Sequence, residues 1–288
     1  MLVTLISFVI LFTYQVAAFH FLGGTITWRP ENISASGNPV KIIIIQTYSW
    51  TDGRIVCTPT AIANSNLINY RTYSTLATDT LKCLSNCGST SSGYIPPLIR
   101  PICTDQSTLV GTVVGQRSDI EWLYLNDNFT VGYTDNGWRP LPTITDATYQ
   151  WCLSTNINLY LRTDGYYNTA PVATVMSPIN IPQNVPQTIP IPVSDANGDN
   201  VRCRWSEGAT ECGLVFPTVG GGNYSLPSNI TLSSDCIIVV TGDIIDNWYA
   251  ITVMIAEFEN RKSQFHTGNH TQVMNMTSVD SRFLDPKY

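Results

Sequence analysis

The stretch VKIIIIQTYSW, residues 40–50, decides the fold of this 288-residue chain. Most of its side chains are β-branched or aromatic, and such residues favour a pleated, half-buried strand. Runs of similar composition recur between Gly, Asn, Asp and Pro residues, at 24–28, 109–114, 120–125 and 129–133. No long stretch has helical periodicity, so at most one or two short helices are expected, one of them around 59–67. The chain is therefore predicted to be all-β.

A tight hairpin is predicted within the stretch 134–138, where Asn136 and Gly137 stand between two strand-like runs. Both residue types accept the positive φ angles that a two-residue turn requires. We expect the runs on either side to pair across this turn.

The amino-terminal segment indicates secretion. Residues 1–18 are apolar and carry no charged side chain. The small residues Val16, Ala17 and Ala18 fit signal peptidase, so residues 1–18 are predicted to be a cleaved signal peptide, with an uncleaved anchor as the alternative. No second apolar run of membrane-spanning length follows. The mature chain is thus predicted to be secreted and to have no transmembrane segment, unless it is a piece of something longer.

The cysteines indicate the same compartment. Eight of them follow the predicted signal, and an even number in a secreted chain favours disulfides. Cys83 and Cys87 have a spacing that zinc could use, but no second close pair accompanies them, so no metal or other cofactor is predicted. Six Asn-x-Ser/Thr sequons are candidate glycosylation sites: Asn32, Asn128, Asn223, Asn229, Asn269 and Asn275.

Two β-sandwich-like domains, stapled by disulfides, are predicted after the signal peptide. A polar stretch leads into a Pro-containing segment near Asn168, which places the boundary there. Residues 19–168 are predicted to form a disulfide-containing β-rich domain, and residues 169–261 a second sandwich. Residues 262–288 are polar and show neither the helical nor the strand pattern of apolar residues, so a disordered tail or a stalk is expected.

Alternation along the second domain predicts one disulfide. Val201, Cys203 and Trp205 share one face of a strand, and Cys236 lies on the apolar face of the run 232–240. A buried bridge between Cys203 and Cys236 is inferred. Cys212 is then left over, and three states stay open for it: a bridge to the first domain, a free thiol or an intermolecular disulfide.

Two further patterns in this domain bear on sheet edges and ends. Prolines 190 and 192 confine the run 189–193 to a sheet edge or to the first positions of a strand. Tyr249, Ile251, Val253 and Ile255 share a face of the last strand. Glu257 and Glu259 end that strand, where solvent-facing polar residues are expected.

A family resemblance rests on the residues of this boundary. Residues 168–173 and 193–201 resemble the opening and first turn of extracellular cadherin-like and Ig-like repeats. The whole chain resembles the amino-terminal part of large multi-module extracellular proteins of invertebrates, on three motifs: the opening 20–28, the cysteines 83, 87 and 103, and the Arg-Cys-Arg-Trp run 202–205. The resemblance implies an Ig- or cadherin-like sandwich at 169–261 and a surface or matrix role.

Asp195, Asn197 and Asp199 have the one-three-five oxygen spacing of calcium loops. The positions where an EF-hand has Gly and Glu are occupied here by Asn200 and Ser206. The favoured interpretation is therefore an Asx-rich turn in which glycine 198 supplies a positive φ. Calcium binding with help from a neighbouring linker or domain is the alternative.

Charge and residue content exclude other classes of function. With 15 basic and 21 acidic side chains the net charge is −6, which argues against nucleic acid as the partner. No catalytic residues are predicted, because His20, His266 and His270 lie at the predicted ends and not in a scaffold that would orient them. His20 could join a copper brace with the α-amino group, but the core supplies no second His.

Aromatic side chains are the remaining signal for binding. Most of the seven Trp and fourteen Tyr lie in alternating strands and are expected to fill cores. Tyr166, Tyr167, Tyr48 and Trp50 are the best candidates for exposure. The sequence thus predicts a non-enzymatic secreted or cell-surface ectodomain for adhesion, matrix interaction or ligand recognition, with an extracellular protein or glycan as partner. A secreted carbohydrate-binding or polysaccharide-active protein is the alternative.

Overall fold

The computed structural model of the chain describes residues 21–34, 37–70, 78–87, 93–135, 151–174, 178–206 and 230–258. The predicted signal peptide and tail, and all three histidines, lie outside these ranges. The all-β prediction is confirmed, since the described residues form fourteen strands and one short helix. Among them, no helix is long and apolar enough to cross a membrane.

The first sheet is built around the apolar stretch at residues 40–50. It has four antiparallel strands in the order β1, β2, β5, β4, with bounds β1 Phe21–Pro30, β2 Val40–Thr51, β4 Ile102–Ser107 and β5 Thr112–Leu123. Strand β2 is paired along its length on both sides. Residues 112–114 and 120–123 of the predicted runs 109–114 and 120–125 belong to one long strand, β5. Residues 109–111 form the turn before it.

A second sheet covers the inner face of the first. Its strands are β3 Lys82–Ser85, β6 Asn128–Asp135 and β7 Trp151–Asn158, in the order β3, β6, β7. Buried side chains of both sheets form one hydrophobic core, in which the rings of Phe21 and Trp151 stack with centroids 3.7 Å apart. The two sheets are therefore layered as in a sandwich.

The predicted tight hairpin at Asn136-Gly137 lies outside the described residues. The strand that pairs with β6 on that side is β7, and Asp135 stands opposite Trp151 in its register. The connection between these strands is thus residues 136–150, which is longer than a two-residue turn.

The single described helix, α1 Pro59–Ala63, is short, as expected. The Thr58 side chain accepts a hydrogen bond from the Ala61 amide, and Pro59 stands at the first position, where the missing N–H costs nothing. The preceding Cys57 is joined by a disulfide to Cys103 of β4.

The second part of the chain has short strands around a separate core. Their bounds are β8 Val172–Ala173, β9 Gln187–Pro190, β10 Val193–Ser194, β11 Asn200–Trp205, β12 Thr231–Leu232, β13 Ile237–Val240 and β14 Val253–Phe258. Strand β8 pairs with β10 and β11 with β14, while β12, β13 and β9 form a three-stranded sheet. Strand β9 is an edge of that sheet, as its Pro190 predicts, and the predicted run 189–193 is divided at Pro192 between β9 and β10.

Strand β14 contacts both cores. Val253 and Ile255 belong to the second core, whereas Met254 on its opposite face and Ala250 before it belong to the first. Both faces of this strand are thus buried. The domain boundary near Asn168 stays a prediction.

One predicted strand proves to be a hairpin. The run 232–240 is broken by a turn at residues 233–236, in which Cys236 has a φ of +63° and its amide donates to the Ser233 carbonyl at 3.1 Å. Cys236 nevertheless faces the second core. The predicted bridge between Cys203 and Cys236 is present.

The remaining cysteines complete the covalent framework. Cys83 is bridged to Cys87, which agrees with a disulfide in place of zinc at this pair. Cys152 is also disulfide-bonded. Its partner is not among the six cysteines paired above, and Cys212 lies outside the described residues.

Counting therefore makes a prediction about Cys212. Three bridges use six of the eight cysteines, so Cys212 is what the chain has left for Cys152. Mass spectrometry of non-reduced peptides should find residues 152 and 212 in one cross-linked peptide that disappears on reduction. An alkylated free thiol at Cys212 would contradict this assignment.

A second prediction concerns the packing beneath the first sheet. A Cβ on Gly115 of β5 would lie 2.5 Å from Ile68 Cδ1 and 2.6 Å from Pro101 Cγ. The change Gly115→Ala should destabilise the fold by about 1–3 kcal/mol, because overpacking displaces well-packed neighbours. Urea unfolding measures this, with Ser118→Ala on the exposed face of the same strand as control. An equal midpoint for both variants would contradict the prediction.

Candidate functional site

The turn at residues 195–199 has the Asx geometry that its sequence favours. The Asp195 carboxylate accepts hydrogen bonds at its Oδ1 atom from the amides of Asn197 at 2.9 Å and of Asp199 at 2.8 Å. Gly198 has a φ of +74°, a conformation that costs glycine little. One carboxylate oxygen of Asp195 thus organises the turn itself.

Asn197 joins this turn to the segment that precedes the second core. Its side-chain oxygen accepts from the Thr169 amide at 2.8 Å, and its side-chain nitrogen donates to the Tyr167 carbonyl at 3.3 Å. The oxygen that the calcium hypothesis would need from Asn197 is therefore already used in backbone recognition.

Arg162 approaches the same turn from the segment after β7. Its guanidinium pairs with both carboxylate oxygens of Asp199, donates to Asn168 Oδ1 at 2.9 Å and lies 3.4 Å from a carboxylate oxygen of Asp164. The Asp199 side chain is only 2% exposed. This is a largely buried, two-pronged ion pair, the geometry in which arginine binds carboxylates best.

Glu257 completes the group, and its position corrects a prediction. The residue is 3% exposed, not solvent-facing, and its carboxylate accepts a hydrogen bond from the Asn168 side chain. The physical reason is the two-residue period of β14, which puts Glu257 on the same buried face as Val253 and Ile255. That alternation, continued two residues further, is the sequence signal that could have found it. Glu259 lies outside the described residues.

These residues form what we call the polar junction: Arg162, Asn168, Asp195, Asn197, Asp199 and Glu257. One carboxylate oxygen each from Asp195, Asp199 and Glu257 lie within 4.8 Å of one another. Such oxygens suit a hard cation, but Arg162 already supplies positive charge to Asp199 and Asn168 binds Glu257. These contacts hold the segment 162–169, the turn and β14 together. Calcium binding here stays a hypothesis.

The aromatic residues predicted to be exposed are mostly buried. Tyr48, Trp50 and Tyr167 have essentially no exposed surface, and only Tyr166 is substantially exposed. The Tyr48 hydroxyl donates to Gln46 Oε1 at 2.6 Å, and burial raises the pKa of Tyr48 well above its ordinary value. The prediction failed because it could not tell which face of β2 the second sheet covers.

Other large side chains are exposed instead, on the outer face of the first sheet. We call the three residues Ile120, Trp122 and Tyr124 the outer stripe, and each has about half of its surface exposed. Their alternate positions along β5 and just past its end place them on one face. The Lys41 ammonium lies 5.7 Å from the centre of the Trp122 ring, which is a cation–π distance.

Two of the six predicted glycosylation sites lie within the described residues. Asn32 and Asn128 are exposed, as glycosylation requires, whereas Asn223, Asn229, Asn269 and Asn275 lie outside the described residues. Asn32 Oδ1 accepts from the Ser34 amide at 3.0 Å in a local turn. Asn128 Oδ1 accepts from the side chain of Asn156 at 3.0 Å.

Comparison with known proteins gives no family to which these features can be attached. No protein-family model matches the chain, and no curated protein matches it as a relative. Function must therefore be argued from the geometry alone.

The polar junction makes a prediction about stability. Arg162→Ala leaves the buried Asp199 carboxylate without its cation, which should lower the free energy of unfolding by about 3–5 kcal/mol. Lys41→Ala is the matched control, because it removes an ion pair with Glu31 in which both side chains are more exposed, and should cost about 0–1 kcal/mol. Urea unfolding of both variants measures the difference. Equal losses would show that the polar junction does not hold these segments together more strongly than an exposed ion pair does.

Proposed function

We propose that this chain is a non-enzymatic ectodomain, secreted or displayed at the cell surface, that recognises an extracellular partner protein for adhesion or matrix interaction. The observation that carries the proposal is the outer stripe. Three large apolar side chains lie exposed on a sheet whose other face packs against the hydrophobic core. Exposed apolar surface of this kind is typical of binding surfaces.

The composition of the outer stripe supports a protein partner. Tryptophan and tyrosine are enriched among the residues that carry most of the binding energy in protein interfaces. Lys41 and Arg29 stand beside the stripe, because the strand register places Lys41 opposite Trp122 and Arg29 opposite Ile43, which is itself opposite Ile120. The apolar centre and the charged border, which includes the Glu31 carboxylate paired with Lys41, resemble the core and rim of an interface.

The covalent framework supports an extracellular setting. Three disulfides join described cysteines, and disulfides persist in oxidising compartments. The predicted signal peptide and the two exposed sequons agree with that setting.

The outer stripe gives a direct test. Trp122→Ala and Tyr124→Ala should each weaken binding of the purified protein to intact cells or deposited extracellular matrix by about tenfold or more, since such residues often carry over 1–2 kcal/mol. Flow cytometry and matrix-coated plates measure it. Tyr166→Ala, at an exposed tyrosine beside the polar junction, is the matched control, and circular dichroism checks that each variant is folded. Unchanged binding of the two stripe variants, or equal loss in the control, would contradict the proposal.

A further inference from the structure

The disulfide between Cys83 and Cys87 differs from the rest of the covalent framework in its exposure. Cys87 is exposed and Cys83 is half-buried, whereas every other cysteine in the described part of the chain is 7% exposed or less. Disulfide exchange requires that an external thiolate reach one of the two sulfur atoms. Within the described residues, Cys87 is therefore the cysteine that an external thiol approaches most easily from solvent.

The place of this disulfide in the fold leaves room for such exchange. It closes a ring over residues 83–87 at the end of β3, which is an edge strand paired with β6. The pairing shifts register between Cys83 and Ser85, so the ladder is already irregular inside the ring, and Cys87 lies beyond the last paired residue. Opening the S–S bond therefore removes no pairing between the central strands of either sheet.

The first half of the ring is held by packing as well as by the disulfide. Leu84 lies against β6, since a Cβ on Gly132 would stand 2.4 Å from Leu84 Cδ1. Cys83 stands opposite Val131 of β6 and packs against the first core. With the disulfide open, these contacts keep Cys83 in place, and the short chain keeps Cys87 near it. The bond can then form again, so the exchange is reversible.

The length of the ring indicates that the fold survives its opening. A disulfide stabilises a protein mainly by restricting the unfolded chain, and the effect grows with the number of residues in the loop that it closes. The sequence separation is 4 for Cys83–Cys87, against 46 for Cys57–Cys103 and 33 for Cys203–Cys236. Of these three disulfides, Cys83–Cys87 is thus the one whose loss costs the least stability.

We propose that Cys83–Cys87 is an exchangeable disulfide, at which an external thiol of a small molecule or a protein forms a mixed disulfide with Cys87. The external thiolate sulfur bonds to Cys87 Sγ, the bond between Cys87 and Cys83 breaks, and Cys83 leaves as a thiolate that takes a proton from solvent. A second external thiolate then attacks the sulfur of the first and releases Cys87. Two external thiols are oxidised to one disulfide, and the disulfide of the protein is reduced to two thiols.

This activity goes beyond the proposed recognition of a partner and does not depend on the outer stripe. It makes the edge of the second sheet sensitive to the redox state of its surroundings. It also gives the ectodomain a point at which a thiol can be attached covalently while both cores stay folded.

The first experiment exposes the folded protein to reduced glutathione and follows each cysteine pair with time. Free thiols are blocked with one alkylating reagent, the remaining cysteines are reduced and labelled with a second, and peptide mass spectrometry reads both labels. Cys83 and Cys87 should become thiols about tenfold faster than Cys57 and Cys103, because access limits the rate of exchange. A thioredoxin in place of glutathione shows whether protein thiols also reach the site, and reduction of this pair first by either reagent supports the proposal.

Two single variants trap the mixed disulfide. Cys83→Ser removes the thiol that would displace a bound glutathione, so oxidised glutathione should leave a stable adduct on Cys87. Cys87→Ser is the matched control, in which the less exposed Cys83 should form its adduct about tenfold more slowly. Intact-mass spectrometry follows both reactions, and circular dichroism checks that both variants are folded.

A double variant tests whether the fold tolerates the open form. Cys83→Ser combined with Cys87→Ser should unfold in urea with a midpoint close to that of the unaltered protein. Cys203→Ser combined with Cys236→Ser should lower the midpoint further, because that disulfide closes a longer loop.

Three outcomes would overturn the proposal. The first is that Cys83 and Cys87 stay oxidised until Cys57 and Cys103 are reduced. The second is that the two single variants form their glutathione adducts at equal rates. The third is that loss of Cys83–Cys87 unfolds the protein or lowers the midpoint as much as loss of Cys203–Cys236. None of these measurements involves the outer stripe, so the proposed partner recognition is tested separately.

Discussion

The pairing of β2 on both edges is the constraint on which the rest of the structure depends. Its inner face carries Ile42, Ile44 and Trp50 into the core, together with Gln46, whose side-chain nitrogen donates to the Leu98 carbonyl at 3.2 Å. A slip of one residue against β1 or β5 would turn all of these side chains outward. The same register decides which residues form the outer stripe. The core and the outer stripe thus lie on opposite faces of strands that are held by the same pairing.

The polar junction shows how the side chains of a short turn hold a distant segment of the chain in place. Asp195 shapes the turn, while Asn197 and Asp199 use their side chains to hold Tyr167, Thr169 and Arg162. Buried ion pairs of this kind add little net stability over apolar packing, but losing one partner is costly. Their contribution is to fix one arrangement.

The outer face of the first sheet is divided between two different surfaces. Toward Trp122 it is open and apolar, with the Lys41–Glu31 ion pair at its border, whereas toward Thr25 it is lined by residues 172–174 and by threonine side chains. The difference arises because the segment 171–174 crosses only one end of the sheet.

Alternation and turn chemistry in the sequence were enough to predict the all-β class, the strands at 24–28, 40–50 and 129–133, the short helix near Pro59 and the bridge between Cys203 and Cys236. These features depend on neighbours in the chain or on which face of a strand a residue occupies. The burial of Tyr48 and Trp50 could not be predicted in this way, whereas alternation along β14 did indicate the buried face on which Glu257 lies. The burial of Tyr48 and Trp50 depends on the second sheet, which packs against one face of β2 from a distant part of the chain. The sequence determined which residues share a face, and only the tertiary structure decided which faces are covered, because burial is set by contacts between segments far apart in the chain.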